Sequence, residues 1–231
     1  MQDETITPRW PIGTTGALLH ALGLAIAQAL LVFVLGMRIF GTIFLGEGAI
    51  FEARAGSFIL LAVIGILDLV LVFWLGVFRL GRFRLSDVGW IQLNVKRDFA
   101  FGLLGAAVFV LVLFVVIELF FGQARELAAS LIDFSAEQRL LFFLIGCLAA
   151  TVEETIFRGY MQPTLQAKMG QSGGIICMAV IFAMYHLNVN PAGLLVKFSV
   201  GVTLGILRNR SGGLWAPAIA HALFWAIAGS S

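Results

Sequence analysis

Between Thr151 and Tyr160 the chain reads TVEETIFRGY, and Glu153, Glu154 and Arg158 there interrupt an otherwise apolar run. Two histidines are set in similar surroundings, His186 in IFAMYH and His221 in APAIAHALFW. Within a membrane span, an ionisable side chain costs about 2.5–3.5 kcal/mol on insertion scales, so each needs a partner or a task. Glu154 and Arg158 are spaced i, i+4 with the acid first, the favourable order for an ion pair on a helix. Glu153 points about 100° away from that pair and has no cation at helical spacing. Its face carries Gly146, Ala149, Ala150 and Phe157, and small residues on such a face let a neighbouring helix come close. One unpaired glutamate and two histidines suit two chemistries. They can ligate zinc with one position open for water. Alternatively, the glutamate and one histidine activate water directly while the other histidine stabilises an oxyanion. Both are hydrolytic, and the target expected in such a place is an amide bond of a membrane-embedded substrate.

The elements that must hold these groups are readable from composition. Of 231 residues, 60% are hydrophobic and 12% charged, against about 45–50% and 25% in a soluble domain. The apolar excess lies in continuous runs rather than in alternation, which predicts membrane-spanning helices and not a barrel. The expected fold is all-α, a polytopic helix bundle with about seven spans. We place them near residues 16–44, 57–78, 99–121, from 139 through the TVEETIFRGY run, 173–186, 192–207 and 213–228. Asn190-Pro191 should break the fifth span from the sixth. Residues 1–231 read as a single membrane domain, with three N-terminal spans in 1–121 and the motif-bearing spans in 139–231. Between them Leu127, Leu131, Ile132 and Phe134 suit one face of a short helix on the membrane surface, or a plain loop. Cys147 and Cys177 lie in apolar runs and read as buried small hydrophobes. No basic block with interleaved aromatics is present, so nucleic acid is not an expected partner; membrane lipids and a membrane-associated protein or peptide are. Arg79, Arg82, Arg84, Lys96 and Arg97 cluster after the second span, which predicts that side and the N-terminus to be cytoplasmic. Water is expected to reach Glu153 from that face. Short loops and no targeting segment suggest a prokaryotic plasma membrane.

EETIFR fits the pattern E-E-x-x-x-R, and FAMYH fits F-x-x-x-H. His221 follows a glycine-rich turn and Ala-Pro in a late span. Together, in this order, these motifs resemble the CPBP family of intramembrane proteases, related to the type II CAAX prenyl endopeptidase and to bacteriocin-processing proteins. The resemblance covers roughly the C-terminal 90–100 residues, judged by motif order and helical spacing. It implies a glutamate protease without a metal cofactor, zinc being the alternative. In that scheme Glu153 is the general base on water and His186 assists it. Glu154 and Arg158 support the site, and His221 helps to form the oxyanion hole. Four residues after the last histidine the family usually has Asn; here the residue is Trp225. Losing one oxyanion donor can cost about 2.7–4 kcal/mol in the barrier. Trp225, Asn188 or Asn190 would then have to supply the donor, or catalysis would be weak.

Asp68 stands in mid-span without a partner at helical spacing. A hydrogen bond across to Gln28 is the expected solution, with Lys197 as another candidate partner. Two rival functions use the same residues: a sensor or scaffold that binds a partner's transmembrane helix, and a small transporter relaying protons through Asp68 and Glu153. The transporter reading lacks an internal repeat.

Overall fold

The computed structural model describes residues 13–44, 55–91, 94–125, 135–186 and 190–228. The expected surface segment around Leu127–Phe134, and Asn188, lie outside these residues. The described elements are all helical. They run α1 (Gly13–Phe44), α2 (Ala55–Leu69), α3 (Leu85–Val88), α4 (Val95–Phe121), α5 (Ala136–Glu154), α6 (Gln162–Tyr185), α7 (Pro191–Ser211) and α8 (Trp215–Ala228). Two π-helical stretches extend them, Val70–Leu80 after α2 and Thr155–Met161 between α5 and α6. The wider turns are visible in i→i+5 bonds: the Gly81 N–H donates to the Gly76 carbonyl, and the Gln162 N–H to that of Phe157.

Local chemistry sets the ends. Ser135 and Gln138 form a reciprocal capping box at the start of α5, satisfying N–H groups that have no helical acceptor. Asn190 accepts from the Ala192 N–H and Pro191 opens α7, as the Asn-Pro pair predicts.

Five helices among the described residues are long and apolar enough to cross a membrane, and one of them, Ala136–Tyr185, is 50 residues long. That stretch turns back on itself. Gly170 has φ 74° and ψ 172°, a conformation open essentially to glycine alone. A Cβ on Gly174 would lie 2.5 Å from the backbone nitrogen of Gln166. In an unbroken helix, residues eight apart are about 12 Å apart along the axis, so the chain reverses at Gly170. With its two arms counted separately, and with the shorter apolar helix Trp215–Ile227, the described residues supply the expected seven or so passes.

Helix α8 packs most broadly on α4 and α5, α6 lies on α7, and α7 on α4. Helix α2 covers α5 from the other side, and α1 covers the π stretch Thr155–Met161. Several basic residues, among them Lys168 and Arg208, gather at one end of this bundle, while Arg125 and Arg139 lie at the other. Lys168, just before the Gly170 reversal, reaches Thr15 at the start of α1 at 3.4 Å. Arg208, in the last turn of α7, lies beside Gly89. From that end the segment Leu85–Trp90 dips into the bundle. The Trp90 indole N–H donates to Thr155 Oγ1 at 2.8 Å, and the Trp215 indole N–H donates to the Trp90 carbonyl at 2.7 Å. Helix α8 therefore starts inside the bundle, near Gly159 and Thr155.

Helices α5 and α8 approach closely at Gly146. A Cβ on Gly146 would lie 2.5 Å from Trp225 Cβ and 3.2 Å from the Ala222 carbonyl. Gly146→Leu should therefore push α8 off α5 and lower stability by about 1–3 kcal/mol, read as a lower thermal unfolding midpoint in detergent, whereas Gly23→Ala, in a helix and with nothing within 4 Å, should cost less.

Candidate active site

The two adjacent carboxylates have different surroundings. Glu154 is fully buried. Its Oε1 accepts from Arg158 Nη1 at 3.1 Å and lies 3.0 Å from His221 Nδ1. Arg158, also fully buried, sets its guanidinium carbon 4.3 Å from the centre of the Phe182 ring and donates from Nη2 to the Gly201 carbonyl at 3.4 Å. The ion pair read from the i, i+4 spacing is thus one link in a chain of contacts that joins α5, α6, α7 and α8. A cation desolvated over an aromatic face adds attraction to this set.

Glu153 faces the other way, into a cavity of about 400 Å³. The cavity is lined in part by Gln28, Asp68, Ala149, His186 and Trp225. Glu153 is only 8% exposed, and its Oε2 has no hydrogen-bond partner among the described residues. His221 Nε2 lies 3.9 Å from that oxygen, beyond hydrogen-bond reach but close enough for charge to act. Sequence spacing placed Glu153, His186 and His221 on three separate spans; the fold brings His186 to the cavity and His221 between the two glutamates.

Each ring has one nitrogen already engaged. His186 Nδ1 donates to the Phe182 carbonyl at 2.8 Å. A carbonyl only accepts, so in the neutral ring Nε2 keeps its lone pair. His221 turns Nδ1 to the Glu154 carboxylate, which orients Nε2 toward Glu153. Among the described residues no group of three or more His, Cys, Asp or Glu is placed to hold a metal ion.

Asp68 finds the partner expected of it: the Gln28 side chain hydrogen-bonds to it across α1 and α2. The charge of Lys197 bears instead on Glu153. What spacing did not reveal is that Gln28 and Asp68 open on the same cavity as Glu153, because nothing in a sequence registers α1 and α2 against α5. Phe182 was visible only as the first letter of F-x-x-x-H. Its ring contacts Phe157, His186 and His221 as well as Arg158.

The direction of the cavity differs from the expectation of access from the basic face. Helix α1 runs away from the basic end, and α2 and α5 run toward it. The lining residues Val32, Ile64, Ala149 and Ile145 therefore extend from Glu153 away from that end. On the basic side the rings of His20, Phe83 and Tyr160 pack with centroids 5.0–6.2 Å apart, and Leu24 and Val72 are buried beside them.

These contacts assign different fates to the two glutamates. Arg158→Met or Glu154→Gln removes one member of a buried ion pair and should destabilise the protein by about 3–5 kcal/mol, read as a lower thermal midpoint in detergent. Glu153→Gln, which breaks no ion pair shorter than 3.9 Å, should leave that midpoint close to that of the unmodified chain.

Residues 135–227 match the model of the family described as Type II CAAX prenyl endopeptidase Rce1-like. No curated protein matches the chain, and no solved structure does. The matched segment is the run from the cap of α5 to the end of α8, and it holds Glu153, Glu154, Arg158, His186, His221 and Trp225; Gln28 and Asp68 lie outside it. Over these four helices the chain is similar to that family, and it has the apolar helical bundle of an integral membrane protein that its sequence predicts.

Proposed function

We propose that the protein is an intramembrane endopeptidase of glutamate type, with Glu153 as the general base. The observation that carries this reading is the unequal treatment of the two carboxylates. Glu154 is bound by Arg158 and His221, while Glu153 is buried, faces the cavity and keeps one oxygen without a partner. In the reaction Glu153 takes a proton from water held between it and His186 Nε2. The hydroxide adds to the scissile carbonyl carbon, and the proton passes to the leaving nitrogen as the C–N bond breaks. The oxyanion is stabilised by His221, whose ring Glu154 holds in place, and accepts from the Trp225 indole N–H in the place of the family's Asn. The protein substrate lies in or on the membrane. The family match supports the protease class, and the cavity supports the choice of base.

Peptide termini in membranes of the native host should separate this reading from a binding role. New cleaved ends should appear with the wild type and fall about 10²–10⁴-fold with Glu153→Gln at equal abundance. Trp225→Phe, which keeps bulk and loses the N–H, should lower the yield of the same ends by about 10²–10³-fold, and Trp225→Asn should retain more activity. Identical profiles from wild type and Glu153→Gln would reject the proteolytic reading.

The basic end is assigned to the cytoplasm on the positive-inside rule. A cysteine at the exposed Ser86 should then react with a membrane-impermeant thiol reagent only after the cells are opened. Labelling of intact cells would reverse the orientation.

A further inference from the structure

The wall opposite Glu153 is made by helices that the family match does not include. Gln28 on α1 is 2% exposed and Asp68 on α2 is 5% exposed, and both line the cavity. Their mutual hydrogen bond uses one polar atom of each. The other two, Gln28 Oε1 and Asp68 Oδ1, have no hydrogen-bond partner among the described residues, like Glu153 Oε2. Counted along α1 from Gly13, and along α5 and α6 from the Gly170 reversal, Gln28, Glu153 and His186 stand at about the same depth, roughly 22–25 Å. The cavity therefore presents three buried acceptors without a partner, in walls otherwise formed by Tyr185, His186, Trp225 and apolar residues such as Ile64, Ile145 and Val32.

Buried acceptors left without donors are costly, and a ligand that brings donors gains from meeting them. A free carboxylate brings none and would face Asp68 and Glu153 together. An unwound peptide segment is the complementary case. A peptide must leave its helix before its carbonyl can be attacked, and its main-chain N–H groups then need acceptors that lipid does not offer. We propose that the Gln28–Asp68 pair is a specificity subsite that accepts main-chain N–H groups of an extended substrate segment, so that the bond cut lies inside a chain. A C-terminal CaaX substrate, by contrast, carries its free carboxylate within a few residues of the modified Cys. This inference rests on the proteolytic reading and deepens it.

The test compares cleaved termini in native-host membranes carrying wild type, Asp68→Asn, Gln28→Leu or Glu153→Gln at equal abundance, with thermal midpoints in detergent measured alongside. The cuts that depend on the wild type should fall at internal bonds. Asp68→Asn, which puts a donor where an acceptor stood, and Gln28→Leu should each lower the yield by about threefold to tenfold for a lost substrate hydrogen bond. They should do so unevenly, changing which bonds are cut. A merely structural role would lower all cuts in parallel with the midpoint, and that result overturns the proposal. So would cuts confined to the last few residues before free C-termini, or an unchanged spectrum in both variants. A lysine or arginine at a fixed place beside every cut would show the donor to be a side chain and overturn the main-chain assignment. No difference between wild type and Glu153→Gln would remove the proteolytic reading and the subsite with it; the other adverse outcomes leave proteolysis standing.

Discussion

The fully buried contact of Glu154 with Arg158 and His221 is the constraint on which the rest of the arrangement depends. Taking a carboxylate and a guanidinium out of water is unfavourable unless geometry and further hydrogen bonds compensate. Here compensation comes from four helices at once. Helix α5 supplies the acid, the π stretch after it supplies the cation, α6 supplies the Phe182 ring, α7 a carbonyl and α8 a histidine. Any displacement of one helix would leave a buried charge short of partners. The charges thus do for these helices what apolar packing alone does poorly within lipid, where apolar surface has little preference between neighbours.

That rigidity gives the adjacent glutamate its character. One residue along a helix is a turn of about 100°, enough to carry Glu153 out of the ionic contact and into the cavity. The π-helical stretch begins directly after the two glutamates. Wide turns of this kind are frequent at functional sites, and here one lets Arg158 reach back to Glu154 while the chain beyond it meets α1. The same frame fixes both histidines through their Nδ1 atoms.

Trp225 shows how a large side chain is accommodated between two close helices. An indole is much larger than an asparagine side chain. The space comes from Gly146 on the facing helix, where even a Cβ would collide with Trp225. The result is a cavity with an aromatic wall, closed toward the basic end by His20, Phe83 and Tyr160 and extended the other way. Besides Glu153, Tyr185, His186 and Trp225, the polar side chains lining it are Gln28 and Asp68 from α1 and α2, so the N-terminal helices share the cavity with the C-terminal ones.

Much of this was legible in the chain itself. Long apolar runs dictate helices because lipid offers the backbone no other partner. Spacing of i, i+4 dictated the Glu154–Arg158 pair, since it is a property of one helix. Asn190-Pro191 dictated a break for equally local reasons, and a buried Asp68 had to find a donor such as Gln28. The order of three motifs, each on its own span, pointed to the family. What the tertiary structure alone decided are relations between helices far apart in sequence. These are the contact of His221 with both glutamates, the ring of Phe182 over Arg158, the shared cavity of Gln28, Asp68 and Glu153, and a cavity axis opposite to the one that loop charge suggested. Periodicity gives the face a residue occupies on its own helix, but not which neighbour it meets or at what depth. Those follow from small residues such as Gly146 and from reversals such as that at Gly170, whose effects exist only once the helices are packed.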